Sequence, residues 1–261
     1  MNETVRSRIL AVDAGNTRVK WGIHDGQEWF MRASFATTAR EETAFSHLPP
    51  DPQVDRIIVS NVAGKLVGER IKDALYRLGQ PIEFIQSKVE QCGVTSRYDA
   101  PDALGTDRWA ALIAAFNSTA TAASPQQAPQ PLLVVMAGTA LTIDTLTVDG
   151  VFLGGVIVPG LTLMRTSLHH ATAQLPAEPG KHQTFPRNTL DAISAGSIEA
   201  SAGAVQRMCA HLSAKSAAMP HCIGSGGAIH VISAHLPFPV AINDNLVLDG
   251  LIHIARDARA S

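Results

Sequence analysis

Ile9-Leu-Ala-Val-Asp-Ala-Gly-Asn-Thr-Arg-Val-Lys20 is the stretch around which the rest of the chain is organised. Ile9 to Val12 form an apolar run long enough for a buried strand and too short for a helix. Asp13 ends the run, and Ala14, Gly15, Asn16 and Thr17 turn the chain. Gly15 lets backbone come close to a bulky anion, Asn16 and Thr17 bring small hydrogen-bonding groups, and Arg18 and Lys20 add positive charge just beyond. Val19, Trp21 and Ile23 then alternate with Lys20, Gly22 and His24 up to Asp25-Gly26, a hairpin-turn signal. The segment reads as strand, acidic loop, strand, tight turn. A carboxylate beside small donors and a lysine suits a metal-bound phosphate, since magnesium takes one or two carboxylates plus phosphate oxygens. The same residues would also serve as a plain polar turn between two strands.

The chain has 261 residues, enough for one large domain or two ordinary ones. Hydrophobic residues make up 46% and charged residues 17%, the balance of a globular chain with a full core. A net charge of −2 gives no electrostatic footprint for nucleic acid. Cys92, Cys209 and Cys222 are odd in number and match no zinc or redox spacing, which fits a reduced, cytoplasmic setting. The opening MNETVRSR does not read as a signal peptide. The most apolar region, Leu132 to Leu163, is interrupted by Asp144, Asp149 and several glycines, so no membrane span is expected.

Beyond the first hairpin, Glu28–Phe35 reads as a third strand and Thr37–Ala44 as a short helix, before Pro49, Pro50 and Pro52. Arg56–Val62 is a buried strand by length and β-branching, Ala63–Leu78 a helix closed by Gly79, and Ile82–Ile85 a further strand. This order predicts an α/β fold with a mixed sheet. Tyr98 to Trp109 form a loop running into a helix over Arg108–Asn117. Asp107 stands where that helix begins and reads first as a cap for free amides, with a catalytic carboxylate as the alternative. Thr119–Pro131, rich in Ala, Gln and Pro, reads as a linker or long surface loop.

Leu132 to Asp144 then repeats the opening unit: apolar strand, Ala137-Gly138-Thr139 turn, alternating strand, and an Asp149-Gly150 turn. The repetition predicts a duplicated pair of domains with a ligand held in a cleft between them. The expected boundaries are residues 1–118, a linker over 119–131, and 132–261. Leu161–Leu175 and Leu190–Leu212 read as helices, with Thr189 a candidate cap for the second. His169 and His170, adjacent on a helix, point in different directions and do not suit a shared metal. His221–Ala228 is a strand entering a glycine turn, and Asn245–Ala258 a last helix.

Taken together, these segments resemble the type III pantothenate kinases. The resemblance rests on Asp13 to Lys20, on Tyr98 with Leu104-Gly-Thr-Asp-Arg-Trp109, and on Gly138 to Asp144 with Pro159-Gly160. It rests also on Leu175-Pro176, Asn188-Thr189, Gly226-Gly227 and Leu246 to Leu251. It implies two duplicated ribonuclease-H-like (actin-like ATPase) domains with mixed sheets facing a central cleft. It further implies a cytoplasmic homodimer that phosphorylates pantothenate with ATP and Mg2+ in the first step of coenzyme A synthesis. By position, Asp13, Ala14, Gly15, Asn16, Thr17, Arg18, Val19 and Lys20 would bind the ATP phosphates, with Asp13 orienting magnesium and Thr139 also touching ATP. Asp107 would be the general base, and Tyr98, Gly105, Thr106, Arg108 and Thr189 would line pantothenate. An aspartate with the ordinary value near 3.9 is ionised at pH 7 and ready to accept a proton. Family members commonly carry an acid before Ala-Gly-Thr, associated with K+ or NH4+; here the residue is Met136. A thioether does not replace a carboxylate for a hard cation, so no monovalent-cation requirement is expected there. The alternatives are a kinase for another small hydroxylated substrate and a nucleotide-binding regulatory protein. Neither nucleic acid nor membrane is expected as a partner.

Overall fold

The structure, a computed structural model, describes residues 7–39, 43–122 and 129–257. Contacts divide the chain into two compact units, Met1–Ser118 with Asn245–Ser261, and Thr119–Asp244.

In the first unit, β1 (Ile9–Ala14), β2 (Arg18–His24) and β3 (Trp29–Ala36) form an antiparallel meander. β4 (Arg56–Asn61) adds to β1 in parallel, α1 (Lys65–Leu75) crosses over, and β5 (Ile82–Phe84) adds to β4 in parallel. The strand order is β3-β2-β1-β4-β5. One face of the central strand, Leu10, Val12 and Ala14, packs with Val19, Trp21, Ile23, Ile57 and Val59 against Ile71 and Leu75 of α1. Each buried Val, Leu or Ile side chain here contributes about 1.5–3 kcal/mol. After α1 the chain makes one 3-10 turn and reverses at Gly79, whose φ of 67° is the left-handed geometry that glycine tolerates.

The segment after β5, read from sequence as loop, contains a small hairpin of β6 (Glu90–Gln91) and β7 (Val94–Ser96). Strands this short carry no legible alternation. α2 (Thr106–Ala122) starts two residues before the predicted helix, so Asp107 lies inside its first turn. It also runs through Ala122, so the opening of the expected linker is helical; residues 123–128 of that linker lie outside the described residues. The predicted helix over Thr37–Ala44 falls partly on residues 40–42, also outside them, and the flanking residues form turns.

In the second unit, β8 (Leu132–Ala137), β9 (Ala140–Leu146) and β10 (Val151–Pro159) form another antiparallel meander. Two helices, α3 (Leu161–Ala171) and α4 (Thr189–Ser216), lead to β11 (His221–Ser225), parallel to β8. α5 (Ile229–Ser233) then leads to β12 (Val240–Ile242), parallel to β11. These strands follow the order β10-β9-β8-β11-β12, the order and the strand senses of the first sheet. Both units are therefore mixed sheets of ribonuclease-H-like topology, and the repeat seen in sequence is a repeat of fold.

The last helix, α6 (Leu246–Asp257), differs from the expected domain division, which places residues 132–261 together. It packs on β1, β2 and β4 of the first unit, where its buried Leu248, Leu251, Ile252 and Ala255 meet apolar strand surface left open by α1. Trp29 donates its indole N–H to Asp249 at 2.8 Å, and Arg56 donates to the Ala255 carbonyl. α6 also meets α2 backbone to backbone at Gly250, where an added Cβ would stand 1.9 Å from the Ala110 carbonyl oxygen. Gly250→Ala should therefore destabilise the protein by about 1–3 kcal/mol or more, seen as a lowered urea midpoint. An unchanged midpoint would refute this packing.

Candidate active site

The acidic loop sits at the end of the central strand of the first sheet. There β1 is flanked by antiparallel β2 and parallel β4, and the register pairs Asp13 with Lys20 on one side and Ser60 on the other. The loop is closed by the Gly15 amide donating to the Arg18 carbonyl at 3.0 Å, and a Cβ at Gly15 would press on that same oxygen at 3.3 Å. Thr37 braces it from the turn just after β3, its hydroxyl donating to the Gly15 carbonyl at 2.7 Å and its amide to the Thr17 carbonyl at 3.0 Å. Asn16, Thr17 and Arg18 are exposed at the tip, and Ala14 and Val19 are buried beneath it. The Arg18 guanidinium donates to the Ser34 hydroxyl at 2.6 Å, so its head rests on β3.

The start of α2 is tied to this place. The Thr106 and Ser60 hydroxyls are 2.9 Å apart, which links the helix to the strand residue paired with Asp13. The Asp107 carboxylate accepts the Arg108 amide at 2.8 Å, so the capping role expected of it is partly real. A Cβ at Gly105 would stand 2.7 Å from Asp107 Oδ1, so a side chain there would displace the carboxylate. Arg108 is buried, with its guanidinium 5.8 Å from the centroid of the Tyr98 ring. Trp109 is fully buried and donates its indole N–H to Gln91 at 3.1 Å, which fixes the helix from below.

The charge of Asp107 acts on Asp13. Burial, with the Asp107 charge second, pushes Asp13 up to about 7, against the opposing pull of Lys20. Burial also raises Asp107, opposed by the Arg108 amide and the Arg108 charge. The expectation of an ordinary carboxylate value for Asp107 is corrected accordingly. Although Asp13 keeps some exposed surface, its Oδ1 is buried and accepts no hydrogen bond. A buried carboxylate oxygen without a donor, beside a second carboxylate, fits a hard divalent cation that would repay its desolvation.

Thr139 and Thr189 belong to the second unit. Thr139 is exposed on a turn where three backbone segments crowd together. A Cβ at Gly160 would lie 2.2 Å from the Gly138 oxygen, and one at Gly226, with φ of 100°, 2.5 Å from the Ala137 oxygen. Met136 takes the place in β8 that Asp13 takes in β1, paired with Thr142 and Ser225 as Asp13 is with Lys20 and Ser60. The Thr142 hydroxyl beside it is buried without a hydrogen-bond partner. Asn188, not Thr189, caps α4, accepting the Asp191 amide at 2.9 Å, which leaves Thr189 exposed as the first helical residue. Thr189 lines an open groove of about 870 Å³ between α3 and α4, with Met164, Leu168, Asn188, Ile193 and Gly196.

The sequence profile of the type III pantothenate kinases matches residues 9–211. A type III pantothenate kinase of Dechloromonas aromatica (strain RCB) is 42% identical over 248 residues, 95% of this chain and 98% of its own. The chain belongs to the type III pantothenate kinase family. Another family member, from Aromatoleum aromaticum (strain DSM 19018 / LMG 30748 / EbN1), is 41% identical and covers 97% of this chain and all (100%) of its own. Among solved structures, one from Campylobacter jejuni, described as a Baf family transcriptional activator, superposes with a TM-score of 0.58 at 20% identity. It covers 97% of this chain and 100% of its own, a likeness of fold.

Two residues of these sites were missed in the sequence. Ser60 could have been found from the strand register, as the penultimate residue of β4. Asp191 carried only the weak signal of an acid in a helix's first turn; it is buried and accepts the Lys181 amide at 2.7 Å and the Asn188 side-chain amide at 2.8 Å. These two donors, the Lys181 amide first, hold its carboxyl below the ordinary range.

Between about pH 4 and 7 the folded chain keeps a proton on Asp13 that the unfolded chain has released, so stability falls as pH rises through that window. Asp13→Asn should therefore stabilise the ligand-free protein above pH 7, on the order of 1–3 kcal/mol, with the gain fading toward pH 4. Urea melts at several pH values check this; a variant no more stable than wild type at pH 8 would show that Asp13 carries no such burden.

Proposed function

We propose that the protein transfers the γ-phosphoryl group of ATP to the primary hydroxyl of pantothenate, the first step of coenzyme A synthesis. The observation that carries the reading is the juxtaposition of Asp13, with its buried and unpartnered oxygen, and Asp107 at the start of α2, coupled through Ser60 and Thr106. Phosphoryl transfer asks little covalent chemistry of a protein; it needs positioning and neutralised charge. The loop from Asp13 to Lys20 offers backbone amides, small polar side chains and the Lys20 ammonium to the phosphates. Asp13 would hold Mg2+, which neutralises phosphate charge when bound. Asp107 takes the proton from the pantothenate hydroxyl as the oxygen–phosphorus bond forms, the bond to the ADP oxygen breaks and ADP departs. Gly105, Thr106, Arg108 and Tyr98 line the substrate around Asp107. From the family motif, Thr139 contacts ATP and Thr189 contacts pantothenate.

The open groove between α3 and α4 supports a homodimer, since it combines apolar Met164, Leu168 and Ile193 with Thr189. Free Cys92, Cys209 and Cys222 support a cytoplasmic setting, and no helix among the described residues is long and apolar enough to cross a membrane. In this reading the chain has two domains, the first of them completed by α6.

Asp107→Asn should lower kcat by a factor of about 10²–10⁴ while ATP binding persists, in an assay with pantothenate omitted as control. For the wild type, the acid limb of kcat/KM should lie above the ordinary carboxylate range, because the raised groups must lose their protons before turnover. Retained turnover in the variant would remove Asp107 from the chemistry. A folded wild type that binds ATP and phosphorylates nothing would favour a regulatory role.

Because Met136 provides no carboxylate, the rate should be the same in K+, NH4+ and Na+ at constant ionic strength. A severalfold activation by K+ over Na+ would place a monovalent cation on other ligands.

A further inference from the structure

A second cluster of metal-ligating side chains lies in the second unit, apart from every residue used above. It brings together His182 from the segment between α3 and α4, Glu199 from α4, and His235 just after α5. One ligand atom of each lies within 4.8 Å of the other two. His182 Nε2 is 2.8 Å from Glu199 Oε1, and the two imidazole rings stand 4.0 Å apart between centroids. We propose that these residues form a binding site for a borderline divalent cation of the zinc class.

Two imidazoles and a carboxylate are a zinc donor set, with water completing the shell. Ligand atoms around a tetrahedral zinc with bonds of about 2.0–2.1 Å stand about 3.3 Å apart, so modest side-chain rotations close this cluster around an ion. Two half-exposed histidines rule out a hard-cation preference, since imidazole selects zinc, copper or nickel over magnesium or calcium. Glu199 is largely exposed, with 63% of its side chain accessible, which leaves room for water on the ion.

The segment that carries His182 is held ready. The Gly180 amide donates to the Ser194 hydroxyl and the Lys181 amide to Asp191 Oδ1, both at 2.7 Å. Gly180 itself packs so closely on α4 that a Cβ would lie 2.5 Å from the Leu190 oxygen. On the other side, the Gln206 side chain of α4 donates to the His235 carbonyl at 3.3 Å. An ion bound here ties the segment leading to Thr189 onto α4 and onto the turn after α5, and so stiffens the approach to the groove.

The test uses the untagged full-length chain, freed of metal with a chelator and titrated with Co2+. One equivalent should bind with the visible absorption of a four- or five-coordinate ion, and Zn2+ should displace it. His182→Ala and His235→Ala should each weaken binding at least about tenfold, whereas His211→Ala, elsewhere on α4, should not. His235→Gln, closer in size, repeats the test should His235→Ala fail to fold by circular dichroism. Zn2+ should also slow tryptic cleavage after Lys181 in the wild type and not in the variants. Absence of cobalt binding, or binding undiminished in the folded histidine variants, would overturn the proposal.

Discussion

A carboxylate with one buried oxygen that no donor meets, at the end of a central strand, is the constraint on which the first unit turns. Asp13 is costly where it stands, because burial and the neighbouring Asp107 both oppose its charge. The position is nevertheless over-determined. β1 is paired on both edges, the Gly15 loop is pinned by Thr37, and α2 is hung from Ser60 through Thr106. Strained or poorly solvated groups persist only where the surroundings leave them no alternative, and ligand sites are where that happens. In open α/β sheets, the crevice beyond the carboxyl ends of the strands is also the usual place for a ligand.

The duplication makes the same point by contrast. The second sheet repeats the order and register of the first, yet Met136 occupies the place of Asp13, and Thr142 that of Lys20. One copy carries the charge and the other does not, while the strands around them are alike. Fold and chemistry are thus separable in this chain: the apolar alternation holds the sheet, and two or three side chains at the strand ends decide what it can bind.

Much of this was legible in the sequence. The long strands, α1, α3 and α4 announce themselves through apolar runs, period and turn residues, and the Asp13 loop and its echo at Gly138 mark the repeat. Less legible were features set by tertiary contact. The two-residue β6 has no period to read. α2 gained its first turn from the anchoring of Thr106 to Ser60, which no local propensity announces. The partner of α6 could not be read from its own apolar pattern, since amphipathicity states that a helix must pack and not on what. Residue identities named Asp13 and Asp107, but only their burial revealed that neither titrates as a free aspartate would.

The placement of α6 bears on how the protein is made. The first unit consists of two separated pieces of chain, with the whole of Thr119–Asp244 synthesised between them. During translation the first sheet emerges early with the strand surface meant for α6 still bare, and it must wait until the second unit has left the ribosome. That second unit is continuous and can close its own core first, reversing the usual order in which the N-terminal part of a nascent chain folds ahead of the rest. Until Gly250 reaches Ala110, the early half is a sheet with one uncovered apolar side, the state in which a growing chain is most in need of a chaperone.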